Sequence, residues 1–308
     1  MMPKFNVSKF RNITVAFNTP FAKDGSLDTS AVKALSRYFL NKGVKNLYLC
    51  GSTGEGFLLD NEERKRVVDA VMDEVGGKMV VIVHVGTACT RHSADLARHA
   101  ERSGADATSA VPCVYYRPGE ESIYRHWMEI TEAADLPFFI YNIPQLTGYA
   151  VSMNLFERML KNERVAGIKN SSDPAHDILR FKQAGGKDFI VFNGPDEQYL
   201  AGRLLGADAG IGGTYGAMPE LFLALEELIR KDRISKAQDL QTTITGFIYR
   251  LLSFPSLYGV VKALIRLDGC DIGKPRLPFL PVSEEDPAVI QLYQDIRQAV
   301  EMHQDFRH

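Results

Sequence analysis

Lys169 closes the apolar run Val165-Ala166-Gly167-Ile168 and is followed at once by Asn170, Ser171 and Ser172. Lysine is ordinarily a surface residue. At the C-terminal tip of a buried strand it loses solvent, and desolvation disfavours the charged ammonium. A free lysine amine has a pKa of about 10.4 and is nearly all protonated at neutral pH. Held neutral, the amine attacks a carbonyl carbon and forms a Schiff base. The competing reading is a lysine that reaches the surface or pairs with an acid. On this segment alone that reading weighs more, because solvated and ion-paired lysines are common.

Other chemistry-bearing residues gather at similar places in the chain. Gly51-Ser52-Thr53-Gly54-Glu55-Gly56 sets two hydroxyls among three glycines, a loop whose N–H groups and hydroxyls suit a carboxylate. It is not a P-loop, because no GKS or GKT follows. An ordinary glycine-rich turn explains it as well, with Glu55 then a structural acid bonded to backbone N–H groups. Tyr115, Tyr116 and Tyr141 carry hydroxyls that both donate and accept, as a proton relay requires, although packing tyrosines do the same. Asp196 and Glu197 follow Asn193-Gly194-Pro195 and precede a helix, so N-capping competes with ligand binding for either acid. Gly212-Gly213-Thr214-Tyr215 allows close approach of a ligand to backbone. His84 reads as a core histidine bonded to backbone, and His92 and His99 read as surface. No HExxH or other ligand spacing is present, so no catalytic metal is expected. No Gly-x-Ser-x-Gly elbow points to a serine hydrolase.

The elements that must position these groups alternate. Strands are predicted at Ile13–Phe17, Leu47–Cys50, Val80–Val83, Ala107–Val111, Phe138–Tyr141, Val165–Lys169, Phe189–Phe192 and Ala209–Gly212. Helices are predicted at Thr29–Lys42, Asn61–Val75, Thr90–Ser103, Glu120–Ala134, Asn154–Lys161, Pro174–Ala184, Glu197–Leu205 and Pro219–Lys231. Strand–helix alternation predicts parallel strands with crossover helices. Eight such units predict a closed (β/α)8 TIM barrel rather than an open sheet, and the first strand is followed by Asn18-Thr19-Pro20-Phe21 instead of a GxGxxG fingerprint. In such a barrel the catalytic groups sit at the C-terminal strand ends. Helices at Ser235–Leu252, Ser256–Leu267 and Asp286–Met302, without strands, read as an appended bundle. The proline-rich run Lys274–Pro281 between the last two is not helical. The domains expected are therefore a barrel over residues 1–232 and a C-terminal helical extension over 233–308, packed on it.

Composition narrows the class of partner. A net charge of −2, with basic residues dispersed, gives no footprint for nucleic acid. Cys50, Cys89, Cys113 and Cys270 form no CxxC pair, which argues against a zinc ribbon or disulfide scaffold and suits a reducing compartment. Cys50 and Cys113 read as small buried residues. The N-terminal run Met1–Val7 lacks the apolar core of a signal peptide, and no apolar run reaches the roughly 20 residues of a membrane helix. A cytoplasmic protein without a membrane partner is expected.

Three stretches in one register, Gly51-Ser52-Thr53-Gly54-Glu55, Tyr141-Asn142-Ile143-Pro144 and Gly167-Ile168-Lys169, make the chain resemble the N-acetylneuraminate lyase and dihydrodipicolinate synthase family of pyruvate-dependent class I aldolases. The similarity runs from about Ile13 to Pro281 and reverses the weighting at Lys169. It implies that Lys169 forms the Schiff base with a 2-oxo acid, that Tyr141 relays protons, and that Ser52 and Thr53 hold the pyruvyl carboxylate. It implies further that Tyr115 reaches a neighbouring subunit's relay, which needs at least a tight dimer; such proteins are usually tetramers. No cofactor is implied, because the lysine itself supplies the electrophile.

Within the family, the synthase branch carries an arginine after YN-x-P for a second carboxylate, and Leu146 occupies that place. Leucine offers no bidentate contact. The N-acetylneuraminate lyase branch is closer. Its YNIP-x-L-T-G run, His84-Val85-Gly86, Ser109-Ala110-Val111 with Tyr115-Tyr116, and Gly194-x-Asp196-Glu197 are all present. The resemblance thus implies catalytic roles for Lys169, Tyr141, Ser52 and Tyr115. It implies substrate contacts from Ser52, Thr53, Ser171, Gly194, Asp196, Glu197 and Gly213. Asp196 and Glu197 as acceptors suit the glycerol tail of a sugar acid, whose hydroxyls donate. The chain departs from the lyase pattern at Gly213, where a serine is usual, at Pro195, and at Ser171, often threonine. One lost hydrogen bond is worth about 1 kcal/mol, enough to alter substrate preference. The expected reaction is cleavage of a 2-oxo sugar acid, N-acetylneuraminate foremost, to pyruvate and an aldehyde, N-acetylmannosamine in that case. The alternatives are a 2-keto-3-deoxy sugar acid aldolase, dihydrodipicolinate synthase, and a non-catalytic oxo-acid-binding relative.

Overall fold

In the computed structural model, which describes residues 5–303, eight parallel strands close into a barrel in sequence order. They are β1 (Thr14–Ala16), β2 (Asn46–Leu49), β3 (Val80–His84), β4 (Ala107–Ala110), β5 (Phe138–Asn142), β6 (Val165–Asn170), β7 (Ile190–Asn193) and β8 (Ala209–Gly212). The helices are α1 (Thr29–Asn41), α2 (Asn61–Val75), α3 (Thr90–Arg102), α4 (Glu120–Glu132), α5 (Pro144–Thr147), α6 (Met153–Met159), α7 (His176–Gly185), α8 (Tyr199–Leu204), α9 (Pro219–Arg230), α10 (Ile234–Leu252), α11 (Leu257–Leu267) and α12 (Pro287–Met302). This is the TIM-barrel architecture expected from the alternation, with C-terminal helices after it. The outer limits of the two expected domains, residues 1–4 and 304–308, lie outside the described residues, as does most of the N-terminal run read for a signal peptide.

The differences are local. Thr147 closes a one-turn helix, α5, which Pro144 opens and Gly148 ends in the left-handed region at φ +67°. It falls below the length at which periodicity reads as helix. The helix expected at Glu197–Leu205 begins as a 3-10 turn, Asp196–Gln198, before α8. Cys113, expected buried, is half-buried on the loop after β4. No single helix among the described residues is long and apolar enough to cross a membrane.

Two apolar cores result from strand alternation. Inside the barrel lie Tyr48, Ile82, Phe139, Tyr141, Phe192 and Ile211, closed below by Phe10, whose ring packs 5.0 Å from that of Phe139. Between barrel and helices lie Leu47, Val81, Phe138, Ile168 and Val191, in one cluster with Ile244 of α10 and Val260 and Leu264 of α11.

One irregularity decides which core β6 residues enter. Phe138 pairs with Val165, but Phe139 pairs with Gly167, so Ala166 is an extra residue in the ladder. Such a bulge shifts the side-chain parity of everything after it. Val165 and Ile168 face the outer core and Ala166 the inner one. Lys169 then stands opposite Tyr141, on the inner face. Without the extra residue Lys169 would point out among the helices. Gly167 makes the bulge possible, since a Cβ there would lie 2.3 Å from the Ile190 carbonyl oxygen and 2.6 Å from the Phe139 ring.

Candidate active site

Lys169 projects from β6 into a cavity of about 290 Å3 at the C-terminal mouth of the barrel. The residue is 6 % exposed. Its Nζ donates to the Tyr141 hydroxyl at 3.1 Å and lies 4.9 Å from the Tyr48 ring centre. Among the described residues no carboxylate lies within ion-pair distance of it. Both parts of the competing reading, surface access and an acidic partner, therefore fail. One residue further toward the mouth the strands are pinned side by side: Asn142 donates to Asn170 Oδ1 at 2.7 Å, and Ser171 N–H to the Asn142 carbonyl at 2.8 Å. Those bonds hold the Tyr141–Lys169 register.

Ser52 and Thr53 line the cavity from the loop after β2. The glycines of that loop answer steric demands: a Cβ at Gly56 would lie 1.9 Å from the Cys50 carbonyl oxygen, and one at Gly54 2.8 Å from that of Phe17. The loop is less open a nest than expected. The N–H groups of Glu55 and Gly56 are satisfied inside it, by Ser52 and Gly51 carbonyls at 3.0 Å each. Glu55 is the structural acid anticipated, accepting the Arg276 N–H at 2.8 Å.

Across the cavity stand Ser171, Gly194, Pro195, Asp196, Glu197, Gly213 and Thr214. Neither acid caps a helix by its side chain. Asp196 Oδ2 instead accepts from the Thr214 N–H at 2.8 Å and its hydroxyl at 2.7 Å, while Oδ1 is buried with no partner among the described residues. Burial pushes the Asp196 carboxyl up to about 6, against the Thr214 hydrogen bonds, which pull it down. An ionised, half-satisfied carboxylate of this kind is an acceptor for ligand hydroxyls. Glu197 sits exposed at the rim. Gly194 lets Ser171 approach, since a Cβ there would lie 2.0 Å from Ser171 Oγ. At Gly213 a Cβ would meet Thr53 Oγ1 at 2.8 Å, which ties the residue lacking a side chain to the loop opposite.

Tyr115 is not brought to Lys169 within the chain. It does not line the cavity, and it stands 92 % exposed on the loop after β4, in the left-handed region at φ +72°. His84 is the core histidine expected. Its Nε2 accepts the Val111 N–H at 3.2 Å, so Nδ1 carries the proton toward the Cys50 carbonyl at 3.1 Å. Burial, and then the Arg64 charge, hold it well below its ordinary range. His92 is exposed, whereas His99 is half-buried against Asp69 at 2.9 Å.

Sequence reasoning missed the floor and one wall. Tyr48 lies beneath Lys169, edge-on to Tyr141 at 5.9 Å between ring centres. A tyrosine between the two leucines of β2 was the available signal. Ile248 and Leu252 of α10 and Leu257 and Tyr258 of α11 form an apolar wall. No local pattern reveals that, because it depends on where the extension docks.

Comparison with known proteins bears on this constellation. The model of the dihydrodipicolinate synthetase family matches residues 9–297. The chain is 43 % identical over 289 residues to the N-acetylneuraminate lyase of Mediterraneibacter gnavus, covering 93 % of this chain and 92 % of that one. It is 34 % identical over 288 residues to the N-acetylneuraminate lyase of Salmonella paratyphi B, covering 93 % and 97 %. The solved structure of a catalytic-lysine mutant of the Ruminococcus gnavus sialic acid aldolase superposes with a TM-score of 0.94 at 42 % identity, over 97 % of this chain and 99 % of that one.

Proposed function

The chain belongs to the dihydrodipicolinate synthetase family, whose members are pyruvate-dependent carbon–carbon lyases, and on that premise we propose that it cleaves N-acetylneuraminate reversibly to pyruvate and N-acetylmannosamine. The observation that carries the reading is the buried Lys169 amine, 3.1 Å from the Tyr141 hydroxyl and facing an open cavity.

The residues divide the work as follows. The substrate carboxylate rests on Ser52 and Thr53, placing its 2-oxo carbon before Lys169. The amine adds to that carbon and water leaves, forming a protonated imine that acts as an electron sink. Tyr141 takes the proton of the C4 hydroxyl as the C3–C4 bond breaks and the aldehyde departs. The enamine left on Lys169 is protonated at C3 and hydrolysed to pyruvate, regenerating the amine. Asp196 and Glu197 accept hydroxyls of the polyol tail, and Ser171, Gly194 and Gly213 line its path. No step calls for a metal or an organic cofactor.

Tyr115, exposed and displaced from its own chain's cavity, suits delivery into a second subunit, and we place it there in a homotetramer. The four cysteines are free thiols, which suits the cytoplasm.

Borohydride added with pyruvate should trap a covalent adduct on the Lys169 peptide, detected by mass spectrometry. An active protein that yields no adduct there refutes the mechanism. A second reading rests on Gly213, which lacks the usual serine hydroxyl: a 2-keto-3-deoxy sugar acid without the N-acetyl group. Comparing kcat/KM for N-acetylneuraminate with such acids separates the two. The synthase reading is opposed by Leu146, 62 % exposed at the cavity rim with no charge to offer. A non-catalytic relative is opposed by the Lys169–Tyr141 contact.

A further inference from the structure

A second buried lysine lies behind the site. Lys262 of α11 and Glu55 of the β2 loop are both fully inaccessible, with Nζ 2.7 Å from Oε1. The contact is an ion pair rather than a well-angled hydrogen bond, since among the described residues Oε1 has no partner of hydrogen-bond geometry. The ammonium completes its bonding with backbone, donating to the Thr19 carbonyl at 2.7 Å and the Lys274 carbonyl at 3.2 Å. The second Glu55 oxygen accepts the Arg276 N–H at 2.8 Å. Four separate segments therefore meet at one pair: the loop after β1, the loop after β2, α11, and the strap that follows α11.

Each segment is in turn joined to the site. Glu55 is held in the left-handed region, φ +55°, which turns its side chain inward while Ser52 and Thr53 line the cavity. The β1 loop grips the same turn: the Thr19 hydroxyl donates to the Gly54 carbonyl at 2.6 Å, and Asn18 to that of Thr53 at 3.4 Å. Tyr258 stands one helical turn before Lys262 and lines the cavity's apolar wall. The strap is anchored by Arg276, whose guanidinium pairs with Glu63 of α2 and donates to the Leu58 and Gly25 carbonyls.

We propose that the Glu55–Lys262 pair is a positioning device for substrate binding, setting the Ser52–Thr53 hydroxyls against the α11 wall at the spacing a 2-oxo acid carboxylate requires. The proposal rests on the reading that this loop holds the carboxylate. It concerns affinity rather than the chemical step, because among the described residues neither makes a hydrogen bond or ion pair with Lys169 or Tyr141.

Breaking a buried ion pair at one end leaves an uncompensated charge, whereas replacing both partners with neutral isosteres is often tolerated. The test is the double variant Glu55→Gln/Lys262→Met. It should melt lower than the unaltered protein, since methionine leaves the Thr19 and Lys274 carbonyls without the ammonium, yet remain folded at the assay temperature. Its half-saturating pyruvate concentration for borohydride trapping should rise at least tenfold. At saturating sugar acid its kcat should stay within about threefold. A folded double variant with unchanged half-saturation overturns the proposal, as does a loss of kcat with KM unchanged, the signature of a merely structural role. Should the double variant not fold, Lys262→Arg keeps the charge and alters its reach; it should raise KM at least threefold at constant kcat, and an unchanged KM overturns the proposal. An unaltered protein that pyruvate and borohydride fail to trap refutes the Schiff-base reading itself, which separates the two failures.

Discussion

Asp196 gives the sharpest test of the substrate assignment, because burial sets its carboxyl near neutrality. With its value at about 6, about nine-tenths of the carboxyl is ionised at pH 7 and about one-tenth at pH 5. If Oδ1 must accept a polyol hydroxyl, kcat/KM for N-acetylneuraminate should fall about tenfold between those pH values. Trapping by pyruvate, which has no polyol tail, should not follow that limb. Asp196→Asn should lose affinity for the sugar acid at pH 7 and flatten the limb below 6. The same burial acts on stability. The folded value is raised above the ordinary 3.8, so the folded chain holds a proton that the unfolded chain releases between pH 3.8 and about 6. The stability this provides is fully present below 3.8 and is lost as pH rises through about 6, by an amount on the order of 3 kcal/mol. Urea unfolding at pH 4 and pH 7 should therefore show the unaltered protein losing stability relative to Asp196→Asn. A variant that keeps the acid limb, or an unaltered protein whose kcat/KM is flat from pH 7 to 5, refutes the assigned role.

Tyr141→Phe removes the hydroxyl 3.1 Å from Lys169 Nζ. Steady-state assay should show kcat reduced about 10²–10⁴-fold, as for loss of a positioned proton-transfer group, with pyruvate still trapped on Lys169. Gly213→Ser places a Cβ 2.8 Å from Thr53 Oγ1, so Thr53 must turn aside. The pyruvate concentration giving half-maximal trapping should rise several-fold, and an unchanged value would show that Thr53 does not hold the carboxylate. Gly167→Ala forces a methyl toward the Ile190 carbonyl and the Phe139 ring. Urea titration should register a loss of about 1–3 kcal/mol or more, with activity lost because the bulge that aims Lys169 inward is disturbed.

The barrel was legible because its signal is repeated. Eight short apolar runs, each followed by an amphipathic stretch, are mutually reinforcing, and all eight strands lie within one residue of their expected limits. The candidate site was legible where a chemical group stood at the end of a strand, as with Tyr141, Lys169 and Asp196. What was hidden depended on distance or parity. Alternation counted forward from Val165 would set Lys169 on the outer face; only the extra residue at Ala166 sets it inside, and only Gly167 hints at it. The role of Asp196 was ambiguous because an acid before a helix is also what a cap looks like. The ambiguity ends when Thr214, eighteen residues on, takes Oδ2. The apolar wall from Ile248 to Tyr258 arises from the docking of α10 and α11, for which no local pattern exists.

The two buried lysines show why burial alone does not single out the nucleophile proposed here. Lys169 and Lys262 both lie within apolar segments, and both are removed from solvent. Lys262 Nζ is enclosed by Glu55 and two backbone carbonyls, with the Phe21 ring centre at 4.4 Å, so no ketone can reach it. Among the described residues Lys169 Nζ hydrogen-bonds only to the Tyr141 hydroxyl, and it opens on the cavity. The two lysines therefore divide by partner: one enclosed by fixed oxygens is suited to bracing, whereas one that meets a hydroxyl and open space is suited to approach a carbonyl carbon. The proposed brace and the proposed nucleophile share one loop, since Glu55 pairs with Lys262 while Ser52 and Thr53 line the cavity on which Lys169 opens. A change at Glu55 should thus be felt at the carboxylate before it is felt at the amine, and the order in which KM and kcat respond is what the double variant measures.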